Sequence, residues 1–396
     1  MNLSPLPPPP FETIKSGTQC KVVESHSQWC LYLTLFLLKL IKLGITILQF
    51  FCSVYIIMIV YELAHTKTCS TVLDLPKSAG CNRETRLCDR RYNHISFATM
   101  HNAFANTQAG FLVAQHRGCI QNALMQGIRA FMLDVHITSS GNILLCHVSC
   151  AMGSATVSGT LEIFRQFIVQ NPREIVTIFW EFGYDMRSDP NSHDDDKIEL
   201  RHQLNLAMHK SNLTAFVYAH HTMYFVQWPT LQEMIGMDKR LVVFTDSRFH
   251  IRNSWETSIQ KTIQTSFQLS DINALKTGCP MSGFRLSRTL VVVNHFVTLG
   301  ALGINGISTN ILASVFHVKF FANINKFPFF AKRILLCMKD SDVFPSFIAV
   351  DFWESSDVVQ VVDMINSNFY VANYSWFAVD VATVGQTLGF GNLNLD

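Results

Sequence analysis

Between Ile95 and Glu181 lie short apolar runs that each end in ionisable or amide side chains. They read Ile95-Ser-Phe-Ala-Thr-Met-His101-Asn102, Gly127-Ile-Arg-Ala-Phe-Met-Leu-Asp134-Val-His136, Ile143-Leu-Leu-Cys146-His147 and Ile175-Val-Thr-Ile-Phe-Trp-Glu181. Runs this short and this apolar fit strands buried on both faces. Polar side chains gathered at the far ends of such strands are what a (β/α) barrel places around its active site.

The same grammar continues downstream. Thr222–Val226, Leu241–Phe244, Leu290–Val293 and Phe347–Val350 read as strands, and Asn294, His295 and Asp351 follow the last two. Helical spacing lies between them. Leu161, Phe164 and Ile168 recur at three and four residues until Asn171-Pro172 stops the pattern, and Val358, Val362 and Ile365 repeat it behind Ser355 or Ser356 as N-cap. Strands alternating with helices imply a parallel sheet. The expected fold is α/β, a distorted (β/α)8 TIM-type barrel. An open doubly wound sheet is the alternative, but no Gly-x-Gly-x-x-Gly marks a nucleotide site. Asp185 to Asp196 reads as a solvated acidic loop, with a lid or a second cation site as the sharper alternative.

Ahead of the barrel, no charged residue occurs from Leu43 to Tyr61. At about 1.5 Å per residue, a helix of that length spans roughly the ~30 Å hydrocarbon core. A buried core helix is one alternative. A cleaved signal peptide is another, though its apolar core would be shorter and nearer the N-terminus. Lys15, Lys21, Lys39 and Lys42 precede the run, so its N-terminal side is expected to stay cytoplasmic. The chain then divides into a cytoplasmic tail (1–42), a transmembrane signal anchor (43–61), a stalk (62–79) and the barrel (80–390). It reads as a single-pass membrane protein with a lumenal or extracellular domain. Charged residues make up 15% of the chain, against about 25% in typical soluble domains, which agrees with a membrane segment. A net charge of +2, with no basic tract interleaved with aromatics, gives nucleic acid no support as a partner.

Cys69, Cys81, Cys88, Cys119, Cys146, Cys150, Cys279 and Cys337 follow the apolar run. An even number fits an oxidising compartment, and the pairs Cys81/Cys88 and Cys146/Cys150 are close enough for local bridges. Neither pair has Cys-x-x-Cys spacing, which argues against zinc. The sequons Asn212-Leu-Thr214 and Asn373-Tyr-Ser375 are consistent with a secretory route.

Taken in order, Cys81-Asn82 to Cys88-Asp89-Arg90-Arg91-Tyr92, Met100-His101-Asn102, Leu145-Cys146-His147, Ile178-Phe179-Trp180-Glu181, Asn294-His295-Phe296 and Ala349-Val350-Asp351-Phe352 resemble the X domain of phosphatidylinositol-specific phospholipase C, in its small single-domain form. The likeness runs from about Ser78 to Asn366. It implies a phosphoric diester hydrolase acting on a phospholipid or an inositol-phosphate-containing lipid at a membrane. In this reading His101 is the general base and His147 the general acid. Asn102, Asp134 and Glu181 match residues that bind calcium in the eukaryotic enzymes, so a divalent cation, calcium by the resemblance, is the expected cofactor. Three positions depart from the family. Met100 stands for a threonine, Met132 for a glutamate of the calcium-binding form, and His136 for the arginine that replaces the cation in the bacterial form.

The chemistry demands such residues. Cleaving a phosphodiester needs a base for the attacking hydroxyl and an acid for a poor leaving group, and histidine serves both roles. Oxygen ligands suit a hard cation. Asp351 is placed to orient His101, as carboxylates orient other catalytic histidines. His136, Asn294 and His295 are candidates for the substrate-binding wall. The runner-up is a catalytically weak lipid-binding or scaffold protein that keeps the barrel. A phosphodiesterase for glycerophosphodiesters or sphingomyelin is a third reading.

Overall fold

A computed structural model describes residues 18–65, 69–182 (except 72, 113, 139, 140 and 148), 194–220, 227–245, 257–258, 262–266, 275, 279, 281–282, 290–296, 324–372 and 375–378. The expected strand at Thr222–Val226, residues 185–193 of the acidic loop and Asn373 lie outside them; the loop's last residues, Asp194 to Asp196, open a helix instead. The chain divides into Met1–Tyr61 and Glu62–Asp396.

The described residues of the first unit lie in one helix, α1 (Thr18–His65), of 48 residues. Its stretch Tyr32–Ile57 is 26 residues long with mean hydropathy 2.0, long and apolar enough to cross a membrane by length and composition. That stretch begins earlier than Leu43 and takes in Lys39 and Lys42. Nothing in it breaks a helix, and a long lysine stem is itself apolar. Large apolar side chains such as Leu38, Leu48 and Phe51 are exposed.

The second unit is built on parallel strands: β1 (Phe97–Met100), β2 (Ala130–Ile137), β5 (Val176–Phe182), β6 (Leu241–Thr245), β7 (Thr257–Ser258), β8 (Thr262–Thr265), β10 (Leu290–His295) and β11 (Phe347–Val350). Their order is β7-β6-β5-β2-β1-β11-β10-β8, and β9 (Met281–Ser282) adds antiparallel to β8. The ends of this path, Ser258 and Thr262, are separated by residues 259–261, and a closed ring is not seen among the described residues. Helices α2 (Ile120–Gln126), α3 (Val157–Gln170), α4 (Asp194–Lys210), α5 (Leu231–Gly236), α6 (Phe329–Ser341) and α7 (Val358–Asn368) alternate with the strands, and β12 (Phe369–Ala372) pairs with β13 (Ser375–Ala378) apart from the main sheet.

The run Ile143–Leu145 is not a barrel strand. As β3 it folds back antiparallel on β2 and pairs with β4 (Ala155–Thr156). Thr138 to Asn142 is too short for the crossover that a parallel strand needs, and the turn closes through Thr138 N–H donating to the Asn142 carbonyl at 2.8 Å. The expected stalk is also corrected from Cys69 onward. Leu73 is buried, and Leu75 N–H donates to Asn171 Oδ1 at 2.8 Å, so this segment lies against the end of α3. Disulfides join Cys69–Cys119, Cys81–Cys88, Cys146–Cys150 and Cys279–Cys337.

Alternate residues along each strand enter different cores. Phe97, Met132, Phe179, Phe244, Val292 and Phe347 pack inside the sheet's curve. Met100, Leu133, Ile178, Val243, Val293 and Ile348 pack outward in a second cluster with residues of the surrounding helices. Beneath the inner layer Tyr92 is fully buried, stacked on Trp228 at 4.7 Å, with its hydroxyl on Thr177 Oγ1 at 2.6 Å. The Cys81–Tyr92 motif therefore lies under the N-terminal ends of the strands, which form the floor of the inner core.

Candidate active site

Two residues beyond the inner core, the same alternation delivers polar side chains. Thr99 leads to His101, Met132 to Asp134, Phe179 to Glu181, Val292 to Asn294 and Ala349 to Asp351. Asp134 and Glu181 are in-register neighbours on parallel strands, so both carboxylates point to the same side. They lie in the C-terminal halves of β2 and β5, toward the end a barrel uses for chemistry.

His101 is held on several sides. Its Nδ1 lies 2.9 Å from Asp351 Oδ1, and its ring stacks on Phe296 at 3.8 Å with an interplanar angle of 4°. Its backbone N–H donates to the Val350 carbonyl at 3.1 Å. Asp351, nearly buried, receives Asn325 Nδ2–H on its own carbonyl at 2.8 Å. Burial opposes a charge on His101, but the Asp351 carboxylate, its hydrogen bond, and Glu181 and Asp134 beyond it outweigh that and hold its pKa above 6.5. Asn102 follows in the left-handed region at φ 44°, buried, and its Oδ1 has no hydrogen-bond partner among the described residues.

His147 arrives by the β3 hairpin. Cys146 N–H donates to the Asp134 carbonyl at 3.3 Å, and the Cys146–Cys150 disulfide pins the turn. His147 follows Cys146 on this turn, beside the strand that carries Asp134. His136 is buried two residues past Asp134 on the same face of β2.

The predicted wall residues separate. Asn294 is interior but sits level with Ala349, below Asp351, and its Nδ2 donates to the Thr265 carbonyl at 2.9 Å. It ties β10 to β8. His295 is not in the mouth at all. Adjacent strand residues face opposite ways, and its ring is fully buried against Phe330 of α6, with Nε2 on the Ile324 carbonyl at 3.0 Å and Nδ1 on Arg333 Nη1 at 3.1 Å. Met132, where the calcium-binding form has glutamate, is packed in the inner core. Sequence reasoning missed His116 and Phe296 as neighbours of His101. Phe296 continues the inward alternation after Asn294, whereas His116 lies in a loop with no periodic signal.

A search of the solved structures finds a point mutant of the phosphatidylinositol-specific phospholipase C from Staphylococcus aureus at TM-score 0.44 and 12% identity, covering 73% of this chain and 96% of that one. A PI-PLC X domain-containing protein 1 of Arthroderma benhamiae is 26% identical over 57% of this chain and 70% of its own length. An uncharacterized secreted protein of the same organism is 26% identical over 42% of this chain, which spans only 35% of that relative's length. The family profile PI-PLC X 1 matches residues 87–366, a stretch that holds each of the polar strand ends just described. With most of its length under that profile, the chain belongs to the PI-PLC X domain family.

Proposed function

We propose that this chain is a membrane-anchored phosphoric diester hydrolase, phospholipase C-like, acting on a phospholipid or an inositol-phosphate-containing lipid. The observation that supports this reading is the His101–Asp351 pair, its ring stacked on Phe296, at the same strand ends as the neighbouring carboxylates of Asp134 and Glu181. With Nδ1–H given to Asp351, the lone pair of neutral His101 is on Nε2. Nε2 takes the proton of the attacking hydroxyl as the new P–O bond forms. His147 gives a proton to the leaving oxygen as the old P–O bond breaks. Asp351 then faces an imidazolium and stabilises it.

Asn102, Asp134 and Glu181 would hold a divalent cation, calcium by the family resemblance. Two side-by-side carboxylates and a buried amide oxygen without a hydrogen-bond partner among the described residues suit a hard ion. Once bound, the ion would lend positive charge to the phosphate. His136 and Asn294 remain candidates for substrate contact. The apolar α1, the disulfides and a relative named as secreted support a single-pass protein with the barrel lumenal or extracellular.

The second reading, a lipid-binding scaffold, draws on Met132, which fills the inner core where a carboxylate would strengthen a cation site. Head-group release from a panel of phospholipids, with and without calcium, separates the two. The hydrolase reading expects release that depends on both His101 and His147. Binding of a lipid head group with no release under any condition overturns it.

A further inference from the structure

His101 is gripped a second time, by a residue outside every motif. The backbone carbonyl of His101 accepts a hydrogen bond from Nε2–H of His116 at 2.5 Å. A carbonyl can only accept, so the proton of His116 sits on Nε2. The ring is fully buried, and burial, reinforced by the rings of His101 and His147, outweighs the pull of Asp351 and lowers its pKa to about 4. His116 is therefore a neutral donor near pH 7. Its Nδ1 has no hydrogen-bond partner among the described residues. An idle buried acceptor is costly and calls for an explanation.

The loop that carries His116 is fastened to the turn that carries Asp351. Phe352 N–H donates to the Gln115 carbonyl at 2.8 Å. Arg117 N–H donates to Glu354 Oε1 at 2.8 Å, and Trp353 Nε1–H to the Gly118 carbonyl at 3.4 Å. Gly118 fits there because a Cβ would come within 2.8 Å of the Trp353 ring. On its other edge, His116 N–H donates to the Ala105 carbonyl at 3.2 Å and the His116 carbonyl accepts Thr107 N–H at 3.0 Å. Asp351 and His116 thus belong to one bracket, with the ring of His101 against one arm and its backbone against the other.

We propose that His116 is a positioning residue for His101: by holding the carbonyl, it fixes the strand end so that Nδ1 stays on Asp351 and Nε2 faces the substrate. This rests on the reading of His101 as general base.

The test compares His116→Leu, which keeps bulk without a donor, with His116→Gln, whose amide reaches about as far as Nε2, in the full chain in detergent. Two readouts are taken: the Nδ1–H signal of His101 in NMR of ring-labelled histidine, which reports its hydrogen bond to Asp351, and turnover of a phosphodiester. In His116→Leu that signal should move upfield and exchange faster with water as the ring loosens from Asp351. On the same change kcat should drop about 10–100-fold with KM nearly unchanged, the scale expected for a small misplacement of a catalytic group. His116→Gln should recover both. Should the leucine variant not fold, His116→Asn, whose amide is too short, replaces it against glutamine. A folded variant without the donor that keeps the Nδ1–H signal and turns over like wild type overturns the proposal, as does equal loss in both variants. The NMR arm needs no turnover, so a wild type that cleaves nothing would remove the base reading and leave the positioning claim to be judged on the hydrogen bond to Asp351.

Discussion

At the N-terminal ends of the strands, buried polar groups are mostly matched; at the C-terminal ends several are not. On the floor, Arg129 Nε meets Glu174 Oε2 at 2.7 Å and its Nη1 donates to the Leu124 and Ile128 carbonyls at the end of α2. Arg240 Nη1 donates to the Ile168 and Asn171 carbonyls at the end of α3, and Arg90 Nη1 to Asn366 and Phe369 at the end of α7. Helix C-termini leave carbonyls bare and carry partial negative charge, so guanidinium groups suit them twice over. Arg129 Nη2 and Asn93 Oδ1 are exceptions there. At the mouth, Asn102 Oδ1, Gln115 Oε1, His116 Nδ1, Asn325 Oδ1 and Glu354 Oε2 all lack a hydrogen-bond partner among the described residues, and burial lifts the Glu354 carboxyl to about 7. One end is built for stability, and the other, where the proposed site lies, tolerates unmet polar groups.

If that division holds, damage at the mouth costs rate and damage at the floor costs folding. The largest effect should come from His101→Ala or His147→Ala. Each should lower kcat/KM on a cleaved phospholipid by about 10²–10⁴-fold. The double variant should lose little more, since both groups serve one transition state. Urea midpoints should stay close to wild type. A large loss of stability with little loss of rate per folded molecule would break the comparison at its strongest point.

Glu174→Gln tests the floor. It leaves the buried Arg129 charge without its carboxylate, which typically destabilises by roughly 3–5 kcal/mol. Urea unfolding measures this, and turnover per folded molecule should be unchanged.

Asp351→Asn sharpens the mouth. Rate should fall by about 10²-fold or more, and the acid limb of the pH–rate profile should move to lower pH. The sign follows from the structure. The carboxylate holds the His101 pKa above 6.5, and the base works only when neutral, so removing the carboxylate frees it at lower pH. A raised histidine pKa also contributes stability that is full below about 6.5 and lost as pH rises through the folded value. The variant should therefore lose stability mainly on the acidic side. A profile that does not move would show that Asp351 does not govern His101.

Much of this division was readable in the sequence, for a geometric reason. The period of two along a strand puts His101, Asp134, Glu181 and Asp351 on the same side as the core residues two positions earlier. The same period, not applied strictly, misplaced His295, because Asn294 and His295 are neighbours and cannot both face inward. As an apolar run, Ile143–Leu145 reads as a barrel strand, since such a run does not declare its direction; the short Thr138–Asn142 link is the sign of a hairpin. Leu73 and Leu75 were the signs that the supposed stalk is tied down. His116 had none, since its role arises from a loop folding back across the strand end.

The smallest expected effect bears on where the barrel resides. Asn212 is exposed, with φ 56°, just ahead of the short helical turn Leu213–Phe216. That turn leads to Val217, which bridges Leu241 at the start of β6, and Lys239 Nζ donates to the Ala215 carbonyl at 2.6 Å. The sequon Asn212-Leu-Thr214 is therefore on the floor side, away from the mouth. If α1 holds the barrel in the lumen, Asn212 should carry an N-linked glycan. Endoglycosidase should then increase the protein's mobility, and Asn212→Gln should remove part or all of that shift. Because the glycan would stand at the end opposite His101 and His147, Asn212→Gln should leave turnover within about twofold and stability within about 0.5 kcal/mol, the range of ordinary surface changes. A glycan-free protein whose barrel is digested by protease added outside sealed microsomes would place the domain in the cytoplasm. A glycosylated protein that loses most of its turnover on Asn212→Gln would instead show that the two ends of the barrel are not independent.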